Sequence, residues 1–259
     1  MRVLVTGATG GLGDTIARAF AARGAKLVLS GRREDVLRAL ADDLAAELVV
    51  ADLSDADAPS RLAAAAGEVD ILMSNAGLPG SGPIGEYTTE QIDRALDVNL
   101  RAPMLLTHAL LPGMLSRRTG HVVFLSSLAA KVTTPGSAIY AASKAGLRAF
   151  SLALRQDLHG TGVSSSAIFP SMVRDAGMFA DTGAELPRWA PALPGPDDVA
   201  AAVIRAVERD RAEIDVAPVG MRAAGLAASV APETVARLNR LIPVDDVAGK
   251  MSEAQRSKR

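Results

Sequence analysis

Short apolar runs alternate along the chain with longer stretches in which apolar residues recur at helical spacing, the two patterns expected of buried strands and of helices with one covered face. The runs predict strands at residues 2–6, 25–30, 48–51, 70–74, 120–126, 163–169 and 213–217. Between them lie expected helices at 14–23, 34–46, 89–115, 138–159 and 196–209, with a small amphipathic helix at 233–242. Their expected inner faces are Val36, Leu37, Leu40 and Leu44 in the second, Ile92, Leu96, Leu100, Met104 and Leu111 in the third, and Val235, Leu238, Leu241 and Ile242 in the last. Strands joined by helical crossovers return parallel to one another, so their C-terminal ends gather along one crevice, where ligands of open α/β sheets bind. Chemistry is therefore sought at strand ends.

The first strand runs into Thr6-Gly7-Ala8-Thr9-Gly10-Gly11-Leu12-Gly13 and then an Ala-rich helix. Glycines let a backbone approach a pyrophosphate, and the free N–H groups of a helix start face its charge. The second strand ends at Gly31-Arg32-Arg33, where a dinucleotide fold meets the adenosine ribose. No carboxylate stands there to accept from a free ribose diol, and two arginines suit a 2′-phosphate, so NADP(H) is preferred, with NAD(H) as the other possibility. Asp52-Leu53 and Asn75-Ala76-Gly77 end the third and fourth strands in register with the glycine loop.

Asn99 lies on or beside the stripe of the long third helix, and Pro103 follows four residues later. Proline has no N–H, so the Asn99 carbonyl loses its helical donor, and the helix should bend there around an acceptor free to hold a water or a side chain. Ser127 stands at the end of the fifth strand, and the next helix carries Tyr140 and Lys144, four apart on one face. Such a pair lies about 6 Å apart between Cβ atoms. A lysine charge 4 to 5 Å from a phenol is worth about 3 to 4 kcal/mol at an effective dielectric of about 20. The phenol pKa should then fall by about 2 to 3 units, making Tyr140 a proton donor and acceptor usable near neutral pH.

Composition narrows the picture. At 259 residues and 49% apolar content the chain can bury a large α/β core, and a net charge of -1 gives no basic footprint for nucleic acid. With no cysteine, disulfides, thiolate catalysis and cysteine-bound metal are excluded, and His108, His121 and His159 are too scattered for a metal site. The first strand starting at Arg2 leaves no room for a leader, and no uncharged run approaches the roughly 20 residues of a membrane span. A soluble, cytoplasmic protein with no membrane partner is expected.

Taken together, the glycine run, Asp52-Leu53, Asn75-Ala76-Gly77, Asn99, Ser127 and Tyr140-x-x-x-Lys144, with 13 positions from the serine to the tyrosine, resemble the single-domain branch of the short-chain dehydrogenase/reductase family. The resemblance spans about residues 2–218. It implies a doubly wound α/β Rossmann fold with a mostly parallel sheet of about seven strands in a single domain. Tyr140 would exchange a proton with a carbonyl or alcohol, Lys144 would lower its pKa and bind the nicotinamide ribose, and Ser127 would bond the substrate oxygen. Asn99 would hold a relay water through its backbone. Gly7, Thr9, Gly10, Gly11, Leu12 and Gly13 would cradle the cofactor, Asp52 and Leu53 would meet its adenine, Asn75 to Gly77 its floor, and Pro170 and Val173 its nicotinamide end. The family usually has Pro-Gly-x-Val-x-Thr where this chain has Pro170-Ser171-Met172-Val173-Arg174-Asp175, so a threonine contact is lost and Asp175 places a charge close to the diphosphate.

The domain is expected to span residues 1–244, with a substrate-covering loop at 171–195 and a helical extension at 219–244, followed by a frayed polar tail at 245–259. In that loop Met178, Phe179, Leu186 and Trp189 would be apolar walls, with Arg174, Asp181, Glu185 and Arg188 for polar groups. The expected activity is NADP(H)-dependent hydride transfer between nicotinamide and the carbonyl/secondary alcohol pair of a small to medium, partly apolar substrate. Two other readings share the fold: a nucleotide sensor or scaffold, and an epimerase or dehydratase with retained nucleotide. The resemblance also implies a homodimer or homotetramer through the helices carrying Asn99 and Tyr140.

Overall fold

The computed structural model describes residues 1–183, 191–241 and 245–256. Its first half runs β1 (Arg2–Thr6), α1 (Gly11–Ala21), β2 (Lys26–Gly31), α2 (Glu34–Asp43), β3 (Glu47–Val50), α3 (Ala58–Ala66) and β4 (Ile71–Ser74). Then come α4 (Thr89–Leu96), α5 (Ala102–Arg117), β5 (Gly120–Leu125), α6 (Ala138–Asp157), β6 (Val163–Pro170), α7 (Gly177–Ala180), α8 (Pro196–Glu208) and β7 (Glu213–Val216). Three helices end the described chain: α9 (Val219–Val230), α10 (Pro232–Leu241) and α11 (Asp245–Gln255).

The seven strands form one sheet in the order β3-β2-β1-β4-β5-β6-β7. Every adjacent pair is parallel. This is the doubly wound Rossmann arrangement, with the strand order reversing between β1 and β4. Successive side chains of β1 feed opposite layers: Val3 and Val5 pack with Ile16 and Phe20 of α1 and Val199 and Val203 of α8, whereas Leu4 packs with Leu62 of α3, Leu106 of α5 and Leu147 of α6. Cover on both faces explains why these strands read as continuous apolar runs. No helix among the described residues is long and apolar enough to cross a membrane.

The expected helix at 89–115 is broken. Its start is fixed by a capping box, the Thr88 hydroxyl accepting from Gln91 N at 3.3 Å and the Gln91 side chain accepting from Thr88 N at 3.1 Å. After α4 the backbone widens into a π-helical turn over Asp97–Arg101 before α5 resumes. A π turn holds an extra residue, so the helix faces before and after it are out of phase. Hence the buried residues are Ala95, Val98, Asn99, Ala102, Pro103, Leu106, Thr107, Leu110 and Met114, and the expected stripe Ile92, Leu96, Leu100, Met104 and Leu111 is only half-buried. In α2, Ala41 is buried with Leu37 and Leu40, and Val36 is exposed. In α10, Val235 is buried and Leu238 exposed, while the Leu241 side chain and Ile242 lie outside the described residues.

The end of the chain also departs from expectation. Residues 245–255 form α11 instead of a frayed tail. Gln255 is 3% exposed and donates through Nε2 to Met178 O at 3.2 Å, while Arg256 pairs with Glu86 at 3.1 Å. Long-range docking of this kind leaves no mark in a polar local pattern. The helices α3 and α7 were likewise not anticipated, whereas α9 falls in the helical extension expected at 219–244; Gly249 inside α11 argues against helix on propensity alone.

Candidate active site

Of the residues expected to form the site, all but Asn99 line one cleft of about 1430 Å³ along the C-terminal rim of the sheet. At its centre β1 passes into α1 through a turn that folds tightly on itself. Gly7 has φ +64°, and a Cβ on Gly13 would stand 2.2 Å from the Gly7 carbonyl oxygen. Asn75 holds the turn, Nδ2 donating to Thr6 O at 2.9 Å and Gly7 O at 3.0 Å. The Thr6 hydroxyl in turn accepts from the backbone N–H groups of Asn75 and Ala76, each at 3.1 Å. Asn75 and Ala76 thus brace the loop from β4. Gly10 is the N-cap of α1 and supplies no side-chain cap, so the helix start presents its first amides to the cleft. These features fit a diphosphate: a tight glycine cradle running into an uncapped helix N-terminus.

At the end of β2, Arg32 and Arg33 both line the cleft. The Arg33 guanidinium donates to the Thr9 carbonyl, and Arg32 lies 3.7 Å from Asp52. Asp52 accepts from Ser54 N at 3.0 Å and Ser54 Oγ at 2.7 Å. Burial acts to raise its carboxyl pKa, but the Ser54 bonds, with Arg32 and Arg94, outweigh it and hold the group below its usual range. Arg94 and Val98, which the sequence reading missed, line the same cleft from α4 and the π turn. Val98 lies in the π turn, whose phase a single helical period does not give, and no local motif marked Arg94.

Ser127 follows β5, and Tyr140 and Lys144 enter from α6. The Ser127 side chain accepts from Ala129 N at 3.2 Å and lines the cleft beside Tyr140, where its hydroxyl acts to lower the phenol pKa. Ser126 Oγ donates to Lys144 O at 3.0 Å, and Lys144 Nζ donates to Leu125 O at 2.9 Å, so β5 and α6 are tied on both sides of the serine. Lys144 is 3% exposed, and burial brings its pKa down to about 8. Its Nζ lies 5.7 Å from the Tyr140 ring centroid. The expected lowering of the phenol pKa is not found. Burial pushes Tyr140 up, and the Ser127 hydroxyl opposes this only in part. The expectation counted the lysine charge and left out desolvation; Lys144 is buried and Tyr140 half-buried, and the cost of taking charge out of water dominates for both.

Asn99 is fully buried behind the cleft wall. Oδ1 accepts from Leu78 N at 2.7 Å, and Nδ2 donates to Leu78 O at 3.0 Å and Ser143 Oγ at 3.3 Å. Ser143 donates onward to Tyr140 O at 2.8 Å. The sequence pointed to the Asn99 backbone through Pro103; the side chain, clamping the loop after β4 to α6, was not foreseen.

Pro170 and Val173 line the remaining end. Ser171 Oγ lies 3.2 Å from Met172 O and 3.4 Å from Val216 O, so it serves its own loop. Asp175 is exposed, adopts φ 64° and pairs with Arg174 at 3.6 Å. The next residue, Ala176, reaches the glycine loop, its Cβ 2.9 Å from where a Cβ on Gly11 would lie. Met178, Phe179 and Asp181 line the cleft as expected, whereas Glu185, Leu186, Arg188 and Trp189 lie outside the described residues. The rest of this wall is Met172, Met221 and Ala224 of α9, and Met251 and Gln255 of α11. No local motif marked these positions.

A short chain dehydrogenase family model matches residues 1–186. The NADP-dependent 3-hydroxy acid dehydrogenase YdfG of Escherichia coli (strain K12) is 40% identical over 180 residues, covering 67% of this chain and 73% of that protein. The ketoacyl reductase HetN of Nostoc sp. is 36% identical over 223 residues, covering 83% of this chain and 77% of that one. Among solved structures, the closed form of a serine dehydrogenase complexed with NADP+ aligns with a TM-score of 0.77 at 33% identity, over 85% of this chain and 96% of that one. A short-chain dehydrogenase from Sphingobium yanoikuyae in complex with NADPH aligns with a TM-score of 0.77 at 28% identity, over 93% and 95%. On its sheet order, its glycine turn and this match, the chain belongs to the short-chain dehydrogenase family of oxidoreductases.

Proposed function

We propose that the protein is an NADP(H)-dependent oxidoreductase that interconverts a ketone or aldehyde and the corresponding alcohol of a small to medium, partly apolar substrate, with Tyr140 as the acid/base. The observation that carries this reading is the convergence of Ser127, Tyr140 and Lys144, its Nζ 5.7 Å from the phenol ring, in the same continuous cleft as the glycine turn. Gly7 to Gly13 would hold the diphosphate, Arg32 and Arg33 the 2′-phosphate, and Lys144 a ribose hydroxyl. The nicotinamide supplies hydride to a carbonyl carbon or takes it from an alcohol carbon.

The protein's task is placement and the proton. Ser127 donates a hydrogen bond to the carbonyl oxygen, and the phenol of Tyr140 gives it a proton as the carbon gains hydride. In oxidation the tyrosinate removes that proton. A phenol pushed up by burial is protonated at neutral pH, which suits the donor in reduction. The Lys144 ammonium then lies near the phenolate that proton donation leaves, and opposite charges in a buried site favour the ionised form. NADP-dependence of YdfG and the nucleotide complexes of two solved relatives support the cofactor assignment.

Replacing Tyr140 with Phe should lower kcat by about 10²- to 10⁴-fold while NADPH affinity stays within a few-fold. Retention of most of the wild-type rate would overturn the acid/base role. The half-buried stripe Ile92, Leu96, Leu100, Met104 and Leu111 favours a dimer or tetramer through α4 to α6, which light scattering would test.

A further inference from the structure

The substrate end of the cleft is walled largely by methionines 172, 178, 221 and 251, a deformable apolar surface. Within it stands one buried carboxamide. Gln255, near the end of α11, is 3% exposed and lines the cleft. Its Nε2 donates to the Met178 carbonyl at 3.2 Å. A carbonyl oxygen can only accept, so the amide nitrogen must face Met178 and the amide oxygen must face away. That oxygen, Oε1, is buried with no hydrogen-bond partner among the described residues. The end of α11 is held a second time, by Arg256 on Glu86 at 3.1 Å. The helix end is therefore tied both to the Met178 segment and to the segment between β4 and α4.

Resting on the redox reading above, we propose that Gln255 is a specificity-determining residue. Its Oε1 accepts a hydrogen bond from a hydroxyl or N–H group of the substrate, remote from the reacting carbon. The substrate class is then a hydroxy- or amido-substituted ketone, or the matching alcohol, with an apolar stem between its two polar ends. A buried acceptor left unpaired is costly, so the site selects ligands that bring a donor and disfavours plain hydrocarbon chains of the same length.

The test compares straight-chain methyl ketones with and without a terminal hydroxyl, from pentanone upward, reduced with NADPH by the full-length wild type and by Gln255→Met, which keeps the side-chain length. The wild type should prefer the best hydroxyketone by about tenfold or more in kcat/KM, mainly through KM, and the variant should lose that preference. Calorimetric binding of the corresponding terminal diols and simple alcohols should show the same selectivity without turnover, and matching thermal unfolding of both proteins would establish that Gln255→Met leaves the fold intact. If the wild type reduces neither ketone series, the redox reading fails while diol binding still reports on Gln255. If both series are reduced but Gln255→Met weakens them equally, or the wild type shows no preference for a donor-bearing chain, the assignment of Gln255 is overturned and the redox reading stands.

Discussion

Lys144 offers a test of the site's electrostatics that needs neither substrate nor cofactor. Its pKa falls from 10.5 to about 8 on folding, through burial. A folded pKa below the unfolded one means that the unfolded chain binds the proton more tightly, so the ammonium opposes folding, fully below about pH 8 and less as pH rises toward about 10.5. The opposition amounts to about 3 kcal/mol near pH 6.5 and has dropped to roughly 1 kcal/mol near pH 9.5. Lys144→Met keeps the buried stem and removes the titration. It also removes the bond to Leu125 O at 2.9 Å. That loss is common to both pH values, because the neutral amine still donates, and it cancels in the difference. Urea unfolding of wild type and variant without nucleotide should therefore show the wild type gaining about 2 kcal/mol on the variant between about pH 6.5 and about pH 9.5. A gap that stays constant, or moves the other way, would show that Lys144 is not desolvated in the folded protein and would undo the account given for both the lysine and Tyr140.

His121 should act in the acid range. It is buried, bonded to Ser166 Oγ at 2.8 Å, and burial brings its pKa from 6.5 down to about 4. Stability should fall as pH drops from about 6.5 to about 4, and His121→Gln should lose about 2 to 3 kcal/mol less than wild type between about pH 7 and about pH 4.5 in denaturant titrations. Arg32→Ala should collapse most of a preference for NADPH over NADH in kcat/KM; a wild type that prefers NADH would refute the reading of the β2 tip. Asn99→Leu strands both backbone groups of Leu78 and should cost about 2 to 4 kcal/mol in unfolding free energy, with reduced turnover as the loop before Gly80 shifts against Tyr140. A variant as stable and active as wild type would show that the clamp is dispensable.

The central strands were legible because they are buried on both faces, while the edge strands β3 and β7 are only half-buried; polar residues and glycines at their boundaries mark the ends. Ser127, Tyr140 and Lys144 were legible because one strand end and one helix face suffice to bring them together. The third helix misled because its pattern was read at one period, whereas the π turn at Asp97–Arg101 changes phase midway. Spacing brought Tyr140 and Lys144 together, as the cleft has them, but missed the direction of the phenol shift, since it gives a distance and not the dielectric around it. Gln255 and Met251 were invisible for another reason. They reach the cleft from near the chain end, over more than seventy positions from Met178, and nothing in their own neighbourhood marks a ligand wall.

The π turn makes length, more than side-chain identity, the constrained quantity of its segment. The Thr88 cap fixes where α4 begins, and the layer of α5 packed beneath the sheet fixes where Leu106 and Leu110 must fall. Exposed positions between these anchors can change freely, but losing or gaining one residue would turn everything on one side by about 100° relative to the other. Either Asn99 would leave Leu78 or α5 would leave its layer. Insertions and deletions in residues 89–102 should thus be far less tolerated than in the surface loops, even where every altered side chain faces solvent.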